Sequence, residues 1–245
     1  MTNDVFLSPL SNDINWLING ITKRSFCEGT HDNADDYKIN LLNKLYSFIG
    51  DDDLKIVRCN QVHSDRIEII NRRRLEGNKK IIIIDGCDGL ITELSGVLLV
   101  VLTADCVPVS FVDETLGITA VAHAGWKGTY EGICAKTIDK MITLGASPLN
   151  IKVWIGPAIG RCCYEISDEL LADFKNRFAN FKNISTLRNI DLKKINMLQA
   201  IDKGIDKDNI HVSSICTKCN SDNYFSYRKD PSCIGRIATF IGRKY

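Results

Sequence analysis

The sequence predicts a single α+β domain in which helices flank a mixed β-sheet. Three observations lead there. The chain is 245 residues long, enough for one large core without a second domain. Short apolar runs rich in Ile and Val recur from residue 54 to residue 241, interrupted by helical periodicities. Strands and helices do not alternate strictly, which argues against a purely parallel βαβ fold.

The first periodic element is a helix over 36–49. It places Ile39, Leu42, Leu45 and Ile49 on one face, and Gly50 ends it. Strands follow over 54–59, 66–70, 81–84 and 98–103, the last two as buried apolar runs. Residues 108–123 form a hairpin around the turn Asp113–Leu116. A helix over about 128–144 ends at Gly145, and a half-buried strand spans 151–155. Two more amphipathic helices have side-chain N-caps, one over 168–181 behind Ser167 and one over about 192–203 behind Asp191. Strands at 210–215 and near 234–241 complete the pattern. No repeat, low-complexity tract or Pro/Gly/Ser linker divides residues 1–245, which are read as one domain.

Composition narrows the function. Thirty-one Lys and Arg balance 30 Asp and Glu, so no overall field holds the chain to nucleic acid or membrane. The Arg72–Arg74 run is read as a solvated connector. No apolar stretch approaches the roughly 20 residues of a membrane span. The first residues lack the basic and apolar regions of a secretory signal, so a cytoplasmic, reducing setting is expected. The ten cysteines are then thiols or metal ligands rather than disulfides.

The chemistry concentrates in residues 103–126. A symmetric four-residue turn makes opposed residues of the hairpin sum to 229, so Val112 faces Gly117 and Cys106 faces His123. Directly opposed side chains on one face lie about 4.5–5.5 Å apart, close enough to share a metal ion. A slip of one residue would send them to opposite faces. His63, in a polar segment after a strand, offers a third donor, whereas His31 reads as a solvent-exposed loop residue and His211 as part of a strand. Two imidazoles and one thiolate leave a fourth tetrahedral position open, the ligand pattern of catalytic zinc. Copper suits the same donors. Cys106 with His123 also suits a thiol nucleophile and its general base. Cys216 and Cys219 form an isolated CxxC that Cys162 and Cys163 do not complete at the usual spacing, so all four are expected to be ordinary core thiols. The signatures of P-loop, dinucleotide-binding, serine-hydrolase and nucleobase-deaminase proteins are absent.

Six blocks together resemble one family: NQVHSDRI (60–67), DGLIT (88–92), TADCVPV (103–109), AHAGWKGTYEGI (122–133), IGPAIGRCCYEI (155–166) and the segment CT…NYFSYRKD…GRIATFI. This is the YfiH-like family, labelled laccase-domain or polyphenol oxidase proteins and better described as purine nucleoside phosphorylases. The resemblance spans residues 20–243. It implies an α/β/α layered domain, a zinc ion on His63, Cys106 and His123, and a cytoplasmic, monomeric enzyme. The implied reactions are phosphorolysis of adenosine, inosine and methylthioadenosine, and hydrolytic deamination of adenosine. Arg24 or Arg228 would then position phosphate, and Gln61 and Asp105, each near a ligand in sequence, would orient groups around the metal. Arg228 is read as stacking on Tyr227 or Tyr224. The family's glycine turn is missing after Arg24, where the chain reads TKRSFCEGTH. Four histidines without an HxH pair cannot supply the imidazoles of a four-copper oxidase within one chain, so oxidase activity would rest on a single adventitious copper.

Overall fold

The computed structural model describes residues 4–27 and 33–244; His31 lies outside the described residues. The strands are β1 (Val5–Leu7), β2 (Leu17–Thr22), β3 (Lys55–Asn60), β4 (Ile67–Ile70), β5 (Ile81–Asp85), β6 (Gly89–Thr92), β7 (Val97–Thr103), β8 (Val107–Asp113), β9 (Ile118–Ala124), β10 (Ile151–Ile155), the short pair β11 (Ser185–Thr186) and β12 (Asn189–Ile190), β13 (Ile210–Val212) and β14 (Ile237–Arg243). The helices are α1 (Leu10–Asp13), α2 (Ala34–Ile49), α3 (Trp126–Glu131), α4 (Ile133–Thr143), α5 (Asp168–Arg177) and α6 (Leu192–Asp202).

The mixed α/β class holds, but the strands form two large sheets instead of one. The first runs β1-β2-β14-β7-β3-β5 and the second β13-β10-β8-β9-β6-β4. The second sheet is buried on both faces, and the pleat divides it cleanly. Leu90, Val112, Val121 and Trp154 point into a core shared with the first sheet and α2. Val109, Phe111, Ala120, Ala122 and Val153 point into a second core with α4, α5 and α6. A strand buried on both faces loses polar–apolar alternation, so β7 is apolar without a break from Val97 to Leu102.

Local differences from the expected elements have specific causes. Helix α2 begins earlier than expected, where the Asn33 side chain accepts from the N–H groups of Asp35 and Asp36 at 3.0 Å. Its buried face is Tyr37, Leu41, Leu42 and Leu45, and Ile39 is exposed. The single helix expected over 128–144 is two, because Gly132 adopts φ +83° and ends the first turn run. The Thr129 carbonyl beside that break accepts from the Gln199 amide at 2.8 Å. Helix α5 stops at Arg177, with Phe178 at its end. Strands β1, β2 and β6 have no counterpart in the sequence reading. In β2, Asn19 and Gly20 look like turn residues, yet both are structural. The buried Asn19 amide donates to the Phe240 carbonyl at 2.7 Å, and a Cβ on Gly20 would lie 2.9 Å from the Phe240 ring.

This framework positions one set of loops. Strands β3, β5 and β7 are parallel neighbours. The segments leaving their carboxyl ends carry Gln61 and His63, Cys87 and Asp88, and Asp105 and Cys106 respectively. In α/β sheets this is where ligand sites form.

Candidate metal centre

His123 lies on β9, on the face shared with the first core. The hairpin register pairs Pro108 with His123 and Asp113 with Ile118, so opposed residues sum to 231, not 229. The loop is Glu114–Gly117, held by the Asp113 carboxylate accepting from Thr115 N–H at 2.9 Å and Leu116 N–H at 3.0 Å. A two-residue slip preserves the side-chain face. Cys106 is therefore a diagonal neighbour of His123 rather than its direct partner, and the two still converge. The backbone at Asp105 turns through φ +90°, and at His63 through φ +61°. Both are uncommon for residues with a side chain and mark turns held by their surroundings. The ligand atoms of His63, Cys106 and His123 all lie within 4.8 Å of one another.

One buried carboxylate organises this arrangement. Asp88 Oδ1 lies 2.7 Å from His123 Nδ1 and accepts from His63 N–H at 3.0 Å. Its Oδ2 accepts from Ser64 N–H and Ser64 Oγ, each at 2.7 Å, and from Val62 N–H at 3.2 Å. The Asp88 carbonyl also accepts from His123 N–H at 2.7 Å. Asp88 thus fixes the turn that presents His63 and leaves Nε2 of His123 to face Cys106. A carboxylate on the far nitrogen of a metal-ligating imidazole sets its tautomer and raises its basicity. Asp88 lies in the DGLIT block, where the sequence alone assigns it no role. Its hydrogen bonds depend on tertiary contacts.

The electrostatics follow from this packing. Burial pushes the Cys106 thiol up, but the charge of His123 and hydrogen bonds from His123 and His63 bring it down to about 6. Burial pushes His123 down, but the Cys106 thiolate and the Asp88 carboxylate raise it to about 9. Burial likewise opposes ionisation of Asp88, yet the hydrogen bonds from His123 and Ser64 hold it at about 2. A thiolate is therefore available near neutral pH, as metal binding or nucleophilic attack requires. Space for an ion is kept by Gly125, where a Cβ would lie 3.2 Å from both Cys106 Sγ and His63 Cδ2.

A cavity of about 360 Å³ opens onto the three donors and is lined by Arg58, Arg236, Lys38 and Tyr227 among others. Arg58 is buried, and its Nε has no partner among the described residues. Gln61 lines the cavity, with its amide paired to the backbone of Leu102 at 2.7 and 2.8 Å. Asp105 faces away from the donors: it accepts from Thr217 Oγ and from Arg228 N–H, both at 2.6 Å. Arg228 lies over Tyr164, not Tyr227 or Tyr224, at 4.9 Å and donates to the Glu165 carbonyl. Arg24 lies over Phe225 at 5.1 Å and donates to the Ser221 carbonyl. Neither Arg24 nor Arg228 lines the cavity. Arg58 sits inside an apolar strand and Arg236 near a strand end, where the sequence gives no sign that they share a cavity with His63.

The structure also overturns the reading of four cysteines as separate core thiols. Cys162, Cys163, Cys216 and Cys219 bring their sulfurs within 4.8 Å of one another, and Cys162 and Cys219 are exposed.

The family pattern described as "Multi-copper polyphenol oxidoreductase laccase" matches residues 27–244. The chain belongs to this laccase-like family. It is 36% identical to the purine nucleoside phosphorylase YlmD of Geobacillus stearothermophilus over 77% of this chain and 72% of that protein. It is 32% identical to adenosine deaminase RL5, from an unknown prokaryotic organism, over 93% and 95% of the two chains. The crystal structure of the Geobacillus YlmD superposes with a TM-score of 0.84 at 30% identity, covering 100% of this chain and 98% of that one. Within this laccase-like family the ligand set here is mononuclear: among the described residues, His63, Cys106 and His123 are the one metal-competent group that contains histidine. No helix among the described residues is long and apolar enough to cross a membrane.

Proposed function

We propose that the protein processes purine nucleosides at the His63–Cys106–His123 site, with Zn²⁺ as its metal. Phosphorolysis of adenosine, inosine or methylthioadenosine yields the free base and a pentose 1-phosphate, and adenosine is also deaminated hydrolytically. One observation carries this reading: a three-donor centre opens into a cavity lined by the cationic side chains Arg58, Arg236 and Lys38. A neutral nucleoside alone needs no such lining, whereas an inorganic phosphate co-substrate does. The names of the relatives YlmD and RL5 agree with the two reactions.

Two imidazole nitrogens, one thiolate and a cradle kept clear at Gly125 fit zinc, and copper as an alternative occupant. The metal supplies Lewis acidity beside the purine. The chain's own residues do the rest. Asp88 holds His123 and the His63 turn in register, so the donors need no reorganisation on binding. Arg58 and Arg236, rather than Arg24 and Arg228, grip phosphate through planar guanidinium groups. A phosphate oxygen then bonds to the anomeric carbon as the bond to the purine nitrogen breaks, and the electron pair leaves with the base. Holding both reactants in one cavity removes the entropic cost of a bimolecular encounter. Gln61, fixed on the Leu102 backbone, shapes the wall rather than acting on substrate, and Asp105 positions the Cys106 turn. The reading needs a purine nucleoside and phosphate as partners and a cytoplasmic monomer, with neither nucleic acid nor membrane.

The test is incubation of metal-loaded protein with adenosine and phosphate, followed by assay for adenine, ribose 1-phosphate and inosine. Formation of these products supports the reading, and their absence with stoichiometric zinc bound refutes it. A second reading is favoured by the Cys106–His123–Asp88 alignment, which also suits a cysteine hydrolase, for instance one acting on a cell-wall precursor. In that case metal-free protein would turn over and lose activity on alkylation of Cys106. His63→Ala would then retain part of its activity.

A further inference from the structure

We propose that Cys162, Cys163, Cys216 and Cys219 bind a second Zn²⁺ in a closed four-thiolate site that braces the turn carrying Cys106. The fold explains how distant cysteines meet. Strands β10 and β13 are parallel neighbours, pairing Val153 with Ile210 and Ile155 with Val212. The segments leaving their carboxyl ends run side by side: Ala158 bridges Cys216, and Thr217 N–H donates to the Ala158 carbonyl at 3.1 Å. A turn closed by Cys163 N–H and Tyr164 N–H on the Gly160 carbonyl then presents Cys162 and Cys163 to the CxxC turn.

The spacing suits a single ion. Cys219 Sγ lies 3.4 Å from Cys163 Sγ and 3.7 Å from Cys162 Sγ, and the four sulfurs lie within 4.8 Å. Zinc–sulfur bonds of about 2.3 Å at tetrahedral angles place ligand sulfurs about 3.8 Å apart. A disulfide would join two of the four and leave the others, and an iron–sulfur cubane would hold its four thiolates farther apart, each on a different iron. Core packing does not account for the group either, since two of its members are exposed.

A backbone donor and a buried cation face the group. Gly160 N–H donates to Cys216 Sγ at 3.2 Å. Four thiolates this close repel one another, so the group ionises fully only around a cation. Binding forms four Zn–S bonds and releases the thiol protons to solvent, with no change in oxidation state. The largely buried ammonium of Lys193, held by the Ser213 and Ile215 carbonyls at 2.6 and 2.9 Å, offsets the negative charge of the filled site. Thr217, inside the CxxC turn, donates to Asp105 next to Cys106, which links this site to the first.

Metal analysis of reduced, zinc-supplied protein decides the matter. Wild type is expected to hold two zinc ions per chain, and Cys106→Ser and Cys216→Ser one each. Cobalt-loaded Cys106→Ser is expected to show the intense thiolate charge-transfer bands of a tetrahedral four-sulfur site. Where Cys216→Ser does not fold, alkylation mapped by mass spectrometry on wild type replaces it: zinc is expected to protect these four cysteines, and a chelator to expose them. One zinc per wild-type chain that Cys106→Ser loses, a disulfide within the group, or equal alkylation with and without zinc would overturn the proposal.

Discussion

His63, Cys106 and His123 stand behind one buried carboxylate and open onto a cavity, whereas Cys162, Cys163, Cys216 and Cys219 crowd together at a surface turn with no carboxylate in the group. The first site has three donors and a free direction, and the second has four and none. The first is held rigid by Asp88 before any ion arrives. The second is held by adjacent parallel strands, and the mutual repulsion of its thiolates is relieved only by a cation. Donor number and the source of rigidity thus separate a centre built to react from one built to hold loops together.

The sharpest way to break this contrast is Asp88→Asn. Loss of the charge that pairs with His123 is expected to cost about 3–5 kcal/mol in denaturant unfolding and to weaken zinc at the first site about 10- to 100-fold, with the four-thiolate site still filled. The same carboxylate gives an acid signature in metal-free protein. Asp88 is held at about 2 against an ordinary 3.8. Its folded-state pKa is depressed, so its contribution is complete above the unfolded value and is lost as pH falls through the folded one. Wild type is expected to lose about 2 kcal/mol between pH 5 and 1 through this group, and Asp88→Asn to lack that component of an acid titration.

Arg236→Met probes the cationic wall of the cavity at the first site. Removal of one charge-assisted contact of about 1.5–3 kcal/mol is expected to raise KM for phosphate roughly 10- to 150-fold, while deamination, which uses no phosphate, changes little. Gly125→Ala crowds Cys106 and His63 and is expected to cost about 1–3 kcal/mol and lower zinc content at the first site alone, by metal analysis. An effect on stability alone is expected from Thr217→Val, which cuts the link to Asp105: about 1.5–3 kcal/mol in thermal unfolding, with both metals retained.

What the sequence made legible depended on parity and local pattern. Cys106 and His123 could be placed on one face because the register error was even, and an odd one would have parted them. Ser167 and Asp191 marked helix starts because a cap is a local bond. Asp88 escaped because its five acceptor contacts come from two segments distant in sequence, and Arg58 because a cation within a strand gives no hint of the cavity beyond it. The cysteine group escaped because 57 residues separate Cys162 from Cys219, and only the pairing of β10 with β13 joins them. The division of the strands between two sheets was hidden for the same reason.

The position of β14 bears on how the molecule is made. This strand is inserted between β2 and β7, and the bond from Asn19 to Phe240 spans 221 residues. On a ribosome, β2 and β7 emerge long before the strand that joins them, and each must wait with a bare edge. Closing so long a loop is slow, and unpaired edges invite association with other chains. His63, Cys106 and His123 are all synthesised before β14, so thiol and imidazoles exist as loose donors during that interval. Docking of β14 closes both edges at once.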